Sequence, residues 1–439
     1  MGAVTYRGQT SREIAATVEA AVRDGDLAPG EPVPSVRRLA VDLAVSPATV
    51  AAAYRELRLR GVLTAEPGSG TRVAPRVVPS PRHGPATLGL GTRDLSNGNP
   101  DPAMLPDLGR ALRRTKPTQI LYGSAAIDPA LLEEMTAQFA DLGVSVDQLT
   151  LVSGAMDGVE RVLSAHLLPN DRVAVEDPCY TGVLDLIRTS GLNPLPVSID
   201  DCGMVAADLE QALRAGARAC VLSPRAQNPT GAAIDRRRAK ELQRVLAGYP
   251  DVCVVENDHT GPVAGVDYLS LTAGRSAWAL VRSVSKSLGP DLRIAFLAGD
   301  PTTINRVDRR LQCGPAWVSH ILQGTVLELL REPTTTALVS RAREVYTRRR
   351  EDLIDALAAR GISARGRSGL NVFVPVSEEA PVIRAMENAG WSLRAGEPHR
   401  LASAPFVRIT AATLKAGDAA KVADDLATAL RSERRSYFA

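Results

Sequence analysis

Residues 283–293 read SVSKSLGPDLR. Lys286 stands among small and hydroxyl residues just after the apolar run WALVRSV, and Arg293 follows it. A lone amine there is either a solvated lysine at a strand end or a reactive nitrogen. Four other loops bear on the choice. After QLTLV comes SGAMDGVERV, where small residues lead into a helix and leave backbone N–H groups free, a site suited to a phosphate. After RVAVED comes PCYTG, in which Tyr180 offers an aromatic face or simply packs. After ACVLS comes PRAQNPTG, a tight turn in which Asn228 can donate a hydrogen bond to an oxyanion. After VCVV comes ENDHTG. Ligands of open α/β sheets bind beyond the carboxyl ends of the strands, so these loops are where chemistry is expected.

The elements that must position them follow from pattern. The short runs QLTLVSG, RVAVEDP, ACVLSP, VCVVEND and WALVRSV are almost wholly apolar. That suits a buried, mostly parallel sheet covered on both faces. Residues from about 335 to 439 add helices and the strands LNVFVPV and FVRIT, a smaller α/β lobe. The first seventy-odd residues differ. Thr10 and Glu13 have capping-box spacing ahead of Ile14, Val18 and Val22, and Gly25 follows as a stop. SVRRLAVDLAV carries one apolar face at Val36, Leu39, Ala40 and Leu43. A third helix begins at the N-cap Ser46 and Pro47, with Val50, Ala53, Tyr54 and Leu57 inward. LTAEPGSGTRVA reads as two strands around a glycine turn. Three helices and a hairpin predict a winged helix-turn-helix over residues 5–74. Residues 75–95, rich in Pro and Gly, read as a linker. The main α/β domain then occupies 96–439.

Bulk composition narrows the class. The chain has 439 residues, 45% hydrophobic and 23% charged, with a formal net charge of +3. That balance is ordinary for a globular protein and too mild to argue for nucleic acid by itself. Five cysteines without CxxC spacing suggest neither a zinc site nor a disulfide framework. No apolar run is long enough to span a membrane and no signal peptide is evident, so a cytoplasmic, reducing setting is expected.

The five loops together resemble the fold-type I pyridoxal 5′-phosphate enzymes, the aminotransferase superfamily, over residues 95–435. With the N-terminal module the whole chain resembles the MocR subfamily of GntR-type transcription regulators. The resemblance implies that Lys286 forms a Schiff base with the cofactor aldehyde. Ser283, Ser285 and Arg293 would hold its phosphate, with backbone N–H groups from Ala155 and Met156. Tyr180 would stack on the pyridine ring and Asn228 would bond its phenolic oxygen. Tyr122, in LYGSAAIDP, would reach a phosphate in the partner subunit of a homodimer. Arg408, in FVRITAA, would clamp the carboxylate of an amino-acid-like ligand, although a structural ion pair would look identical.

One loop departs from the family. An acidic-Asp-Asp-Tyr or acidic-Asp-Asp-His run is usual, but here it is Glu256–Asn257–Asp258–His259. The family's first Asp keeps the pyridine nitrogen protonated, and Asn257 holds that position. Side chains alternate along a strand, so Asn257 and Asp258 should not both face the ring. His259 is either a titrating imidazole or a packed one. Ile127 stands where a glycine is often found.

At the DNA end, the third helix should enter the major groove with Ser46, Pro47, Ala48 and Thr49 near base edges. Arg37 matches a GntR DNA-contacting arginine, and Ser69, Gly70 and Thr71 form the wing tip. These residues are small, so phosphate contacts and DNA shape should outweigh direct readout. The expected function is a transcriptional regulator that binds double-stranded DNA and responds to pyridoxal 5′-phosphate or its adduct with a small amino compound. The alternative is a working aminotransferase with an accessory DNA-binding domain, against which Asn257 argues.

Overall fold

The computed structural model describes residues 6–59, 62–66, 70–74, 91–144, 146 and 148–436. The chain divides into two compact units.

The N-terminal helices form where their caps predict. Helix α1 (Ser11–Asp24) opens with a reciprocal capping box: Thr10 Oγ1 accepts from the Glu13 N–H, and the Glu13 carboxylate accepts from the Thr10 N–H. It stops at Gly25, whose φ of 85° suits glycine. Helix α2 (Val36–Asp42) is capped by Ser35. Helix α3 (Pro47–Leu59) begins with Ser46 Oγ accepting from the Thr49 N–H at 3.1 Å. Strands β1 (Leu63–Glu66) and β2 (Gly70–Val73) pair antiparallel. Val50, Ala53, Tyr54 and Leu57 are buried with Ile14, Val18 and Leu39 in one core. Tyr54 donates its hydroxyl to the Pro34 carbonyl at 2.8 Å, so the ring can be buried without an unsatisfied polar end. This is a winged helix-turn-helix.

After the N-terminal module come β3 (Arg93–Asp94), β4 (Gln148–Val152), β5 (Arg172–Asp177), β6 (Asn193–Asp200), β7 (Gly203–Met204), β8 (Ala217–Leu222), β9 (Cys253–Asp258), β10 (Trp278–Ser283), β11 (Ala295–Gly299), β12 (Asn371–Pro375), β13 (Trp391–Ser392), β14 (Arg394–Ala395) and β15 (Phe406–Thr410). Among the described residues the large sheet runs β4-β11-β10-β9-β8-β5-β6-β7. Strands β8, β9 and β10 are mutually parallel, and β11 opposes both of its neighbours. Strands β9, β10 and β11 are buried along their whole length, which is why their sequences lack alternation. A smaller sheet, β12-β15-β14, builds the C-terminal lobe.

Two ionic residues interrupt the apolar strand β9. Glu256 accepts from the Leu271 N–H at 2.5 Å and from the Tyr268 and Ser270 hydroxyls, tying down the 268–271 loop. Asp258, fully buried, lies between two arginines. Arg225 reaches it through two bonds of 2.9 Å and Arg282 through one of 2.8 Å. The register explains the pairing, because Arg282 of β10 lies opposite Asp258 and Val281 opposite Asn257. Burial pushes the Asp258 pKa up, but the Arg225 and Arg282 charges outweigh it and hold it at about 2.

Asp258→Ala would strand two buried guanidiniums. It is expected to lower unfolding free energy by about 3–5 kcal/mol in urea denaturation. The depressed pKa sets the sign of the acid response: the stabilisation from Asp258 is complete above its unfolded value of about 4 and lost as pH falls toward about 2. In Asp258→Ala that limb of the stability profile should flatten.

Candidate functional site

Lys286 occupies the turn that follows β10. Its Nζ donates to the Gly98 carbonyl at 2.8 Å, and burial, then the Arg408 charge, lowers its pKa to about 8. A substantial fraction of this amine is therefore neutral and nucleophilic slightly above neutral pH. Ser283, the last residue of β10, donates to Ser285 Oγ at 3.0 Å and accepts from the Ser285 N–H at 3.1 Å.

An anion cradle lies next to this turn. The helix Ala155–His166 starts at Gly154, with φ of 97° and no side-chain cap. Arg293 adopts a left-handed φ of 50° and donates to the Ser153 carbonyl at 3.1 Å. A Cβ on Gly154 would stand 2.6 Å from Arg293 Nη2, so the missing side chain is what admits the guanidinium. The Ala155 and Met156 N–H groups belong to the first helical turn and have no intrahelical acceptor. A guanidinium beside a helix N-terminus is a receptor for a phosphate.

Asn257 is buried and its Oδ1 has no hydrogen-bond partner. Asp258, by contrast, is committed to Arg225 and Arg282 on the opposite face of the sheet. The carboxylate next in sequence cannot substitute for the amide. Burial, then the Lys286 charge, lowers the His259 pKa to about 4, so this imidazole is neutral through the physiological range and is no pH switch there. Tyr180 follows β5 and remains 39% exposed. Gly182 is a glycine because a Cβ would sit 2.6 Å from the Tyr180 ring.

Asn228 is positioned by its neighbour. Gln227, fully buried, donates from its amide to Glu176 and the Pro178 carbonyl, and accepts from the Thr230 N–H and hydroxyl. It locks the NPTG turn to the end of β5. Asn228 Oδ1 then accepts from Arg408 Nη1 at 2.8 Å. Arg408 also donates to the Ser96 carbonyl, yet its Nε is unpartnered, and among the described residues it forms no ion pair. The ion-pair alternative for Arg408 is thereby removed. Tyr122 is 93% exposed and packs edge-on against Trp317. At the DNA end Arg37, Ser46, Pro47, Ala48 and Gly70 are exposed and Thr49 is half-buried. Ser69 lies outside the described residues.

Sequence reasoning missed Gln227, the Gly98 carbonyl, and the Arg225 and Arg282 clamp. The charged Arg282 inside WALVRSV was the available signal, since a lone charge in a buried strand requires a buried partner.

The family description "Aminotransferase class I and II" matches residues 89–426, and "Bacterial regulatory proteins, gntR family" matches residues 10–73. The vitamin B6 salvage pathway transcriptional repressor PtsJ of Salmonella typhimurium is 38% identical over 96% of this chain and 99% of its own. The chain belongs to the MocR subfamily of GntR-type regulators, with an aminotransferase class I and II body. The HTH-type pyridoxine biosynthesis transcriptional regulator PdxR of Corynebacterium glutamicum is 27% identical over 76% of each chain. Among solved structures, an archaeal alanine:glyoxylate aminotransferase superposes with a TM-score of 0.72 at 21% identity, covering 78% of this chain and 91% of its own. That likeness establishes the fold-type I architecture of the MocR body. Among the described residues no helix is long and apolar enough to cross a membrane.

The Gly154 cradle is directly testable. Gly154→Ala combines a left-handed φ with a clash against Arg293, and is expected to cost on the order of 1–3 kcal/mol in chemical denaturation. The same variant should bind inorganic phosphate at least about tenfold more weakly by calorimetric titration, equivalent to roughly 1.4 kcal/mol.

Proposed function

We propose that this chain is a DNA-binding transcriptional regulator that carries pyridoxal 5′-phosphate on Lys286 and alters its hold on DNA with the cofactor or its adduct with a small amino compound. The winged helix-turn-helix of residues 5–74 contacts DNA, residues 75–95 link, and residues 96–439 bind the ligand. The observation that carries this reading is a buried amine, with pKa near 8, in the turn after β10 and a guanidinium–helix cradle beside it.

The residues present fit the cofactor. Lys286 would anchor it covalently. Arg293, Ser283, Ser285 and the N–H groups of Ala155 and Met156 would hold its phosphate. Tyr180 would cover the ring, with Asn228 and neutral His259 at its oxygen edge, and Asn257 would face the ring nitrogen. Arg408 would take the carboxylate of the amino compound. When bound, the cofactor supplies an aldehyde that captures amines and a ring that withdraws electrons from them.

This chain's residues favour capture over turnover. The Asn257 amide cannot hold a ring nitrogen protonated as a carboxylate does, and Asp258 faces away. A protein so built holds an amino compound without efficiently converting it, which suits a sensor better than an aminotransferase. Leu121, Tyr122 and Ile321 are exposed large side chains that favour a twofold partner, with Tyr122 reaching the partner's phosphate site. Two winged helices then meet two half-sites, and a ligand acts by binding one arrangement of them better than another. A cytoplasmic location accompanies this role.

Added cofactor should give wild type a visible absorbance band that Lys286→Ala lacks, and affinity for the chain's own upstream DNA should change only in wild type. The initial rate of band formation should rise with pH through a midpoint near 8, as Lys286 loses its proton. A spectrum indifferent to Lys286 would remove the reading. Asn257→Asp should raise conversion of amino acid to keto acid by at least about tenfold, measured by keto-acid release.

A further inference from the structure

Two strands of the small lobe bring guanidiniums side by side. The β14–β15 register sets Arg394 directly opposite Arg408. Directly opposed residues leave the same face of a sheet, with Cβ atoms roughly 5 Å apart, and like charges there repel. Neither arginine forms an ion pair among the described residues. Asp94 acts on Arg408 only at a distance, because its carboxylate accepts from the Ser96 N–H and hydroxyl and from the Asn97 amide. Burial and then Arg394 lower the Arg408 pKa to about 10, a measure of how poorly the pair is neutralised.

No other group nearby relieves the charge. His399 is 1% exposed, its Nδ1 bonds the Cys179 carbonyl at 2.9 Å, and its Nε2 has no partner. Burial, then Arg408 and Arg394, keep that ring neutral. Tyr180 interacts electrostatically with both arginines, and Arg408 with Lys286, so the pair borders the amine pocket. A site that gathers two unpaired guanidiniums, one of them buried, is complementary to two negative groups.

We infer that Arg394 and Arg408 together form a receptor for a small dicarboxylate, with one acid group on each guanidinium. The inference rests on reading this pocket as the effector site and specifies the effector's class: an acidic amino compound with a second carboxylate. Each guanidinium presents a planar donor fork matched to a carboxylate. A monocarboxylate on Arg408 would leave Arg394 uncompensated.

The test is calorimetric titration of the full-length chain, with and without added pyridoxal 5′-phosphate. Succinate and glutarate are compared with butyrate, valerate and inorganic phosphate. At least one dicarboxylate should bind about tenfold or more tighter than either monocarboxylate. Arg394→Gln should reduce the dicarboxylate to the monocarboxylate level, and Arg394→Lys should keep part of the preference. An unchanged thermal midpoint and an unchanged cofactor absorbance band in Arg394→Gln separate loss of the receptor from loss of fold or cofactor. Equal affinities for both classes, a preference that survives Arg394→Gln, or phosphate that displaces the dicarboxylate in wild type and binds more weakly in Arg394→Gln would each overturn the inference. Because the cofactor-free arm scores the preference independently, failure to load cofactor would count against the regulator reading alone.

Discussion

A β-strand gives successive side chains to opposite faces, and at the end of β9 that alternation decides what this site can do. Asp258 is drawn to one face by Arg225 and Arg282, two buried cations with which it pairs. Asn257 is consequently left on the other face, buried and with its Oδ1 unpartnered. Moving the carboxylate across the sheet would require a register shift. That would expose the arginines to each other without an anion and turn the apolar residues of a fully buried strand. The amide is thus held on its face of the strand by an ion-pair network that does not include it.

The rest of the pocket is assembled from segments far apart in the chain, each with a local reason for its shape. Glycine at 154 admits Arg293 to the start of a helix, Gly98 takes a left-handed φ of 69° and accepts from Lys286 through its carbonyl, and Gln227 ties the NPTG turn to the β5 end. These contacts converge on a region rich in cations. Lys286 responds by losing basicity, His259 and His399 stay neutral, and Arg408 is left without an acid. The shared cause is desolvation, which penalises every charge that lacks a partner. Such a pocket is poised to accept anions, and the same field keeps the one nucleophilic amine available.

Much of this was legible in the linear chain because it depended on local rules. The capping box at Thr10 and Glu13, the Ser46–Pro47 helix start and the glycine stop at 25 act within a few residues, and the helices formed where those signals stood. The apolar runs became strands of a mostly parallel sheet because nothing but burial on both faces suits them. The Clamp of Arg225 and Arg282 on Asp258 was not legible, because pairing across strands depends on a register that no local pattern states.

The sequence by itself determined the two modules, the order of the strands' loops, and the set of chemical groups placed at their ends, since these follow from periodicity, caps and residue type. Only the tertiary structure decided which way Asn257 and Asp258 face, that Arg408 has no carboxylate partner, and that Arg394 stands beside it. Those outcomes depend on which distant strands become neighbours and on how far water is excluded between them, and both are properties of the packed chain.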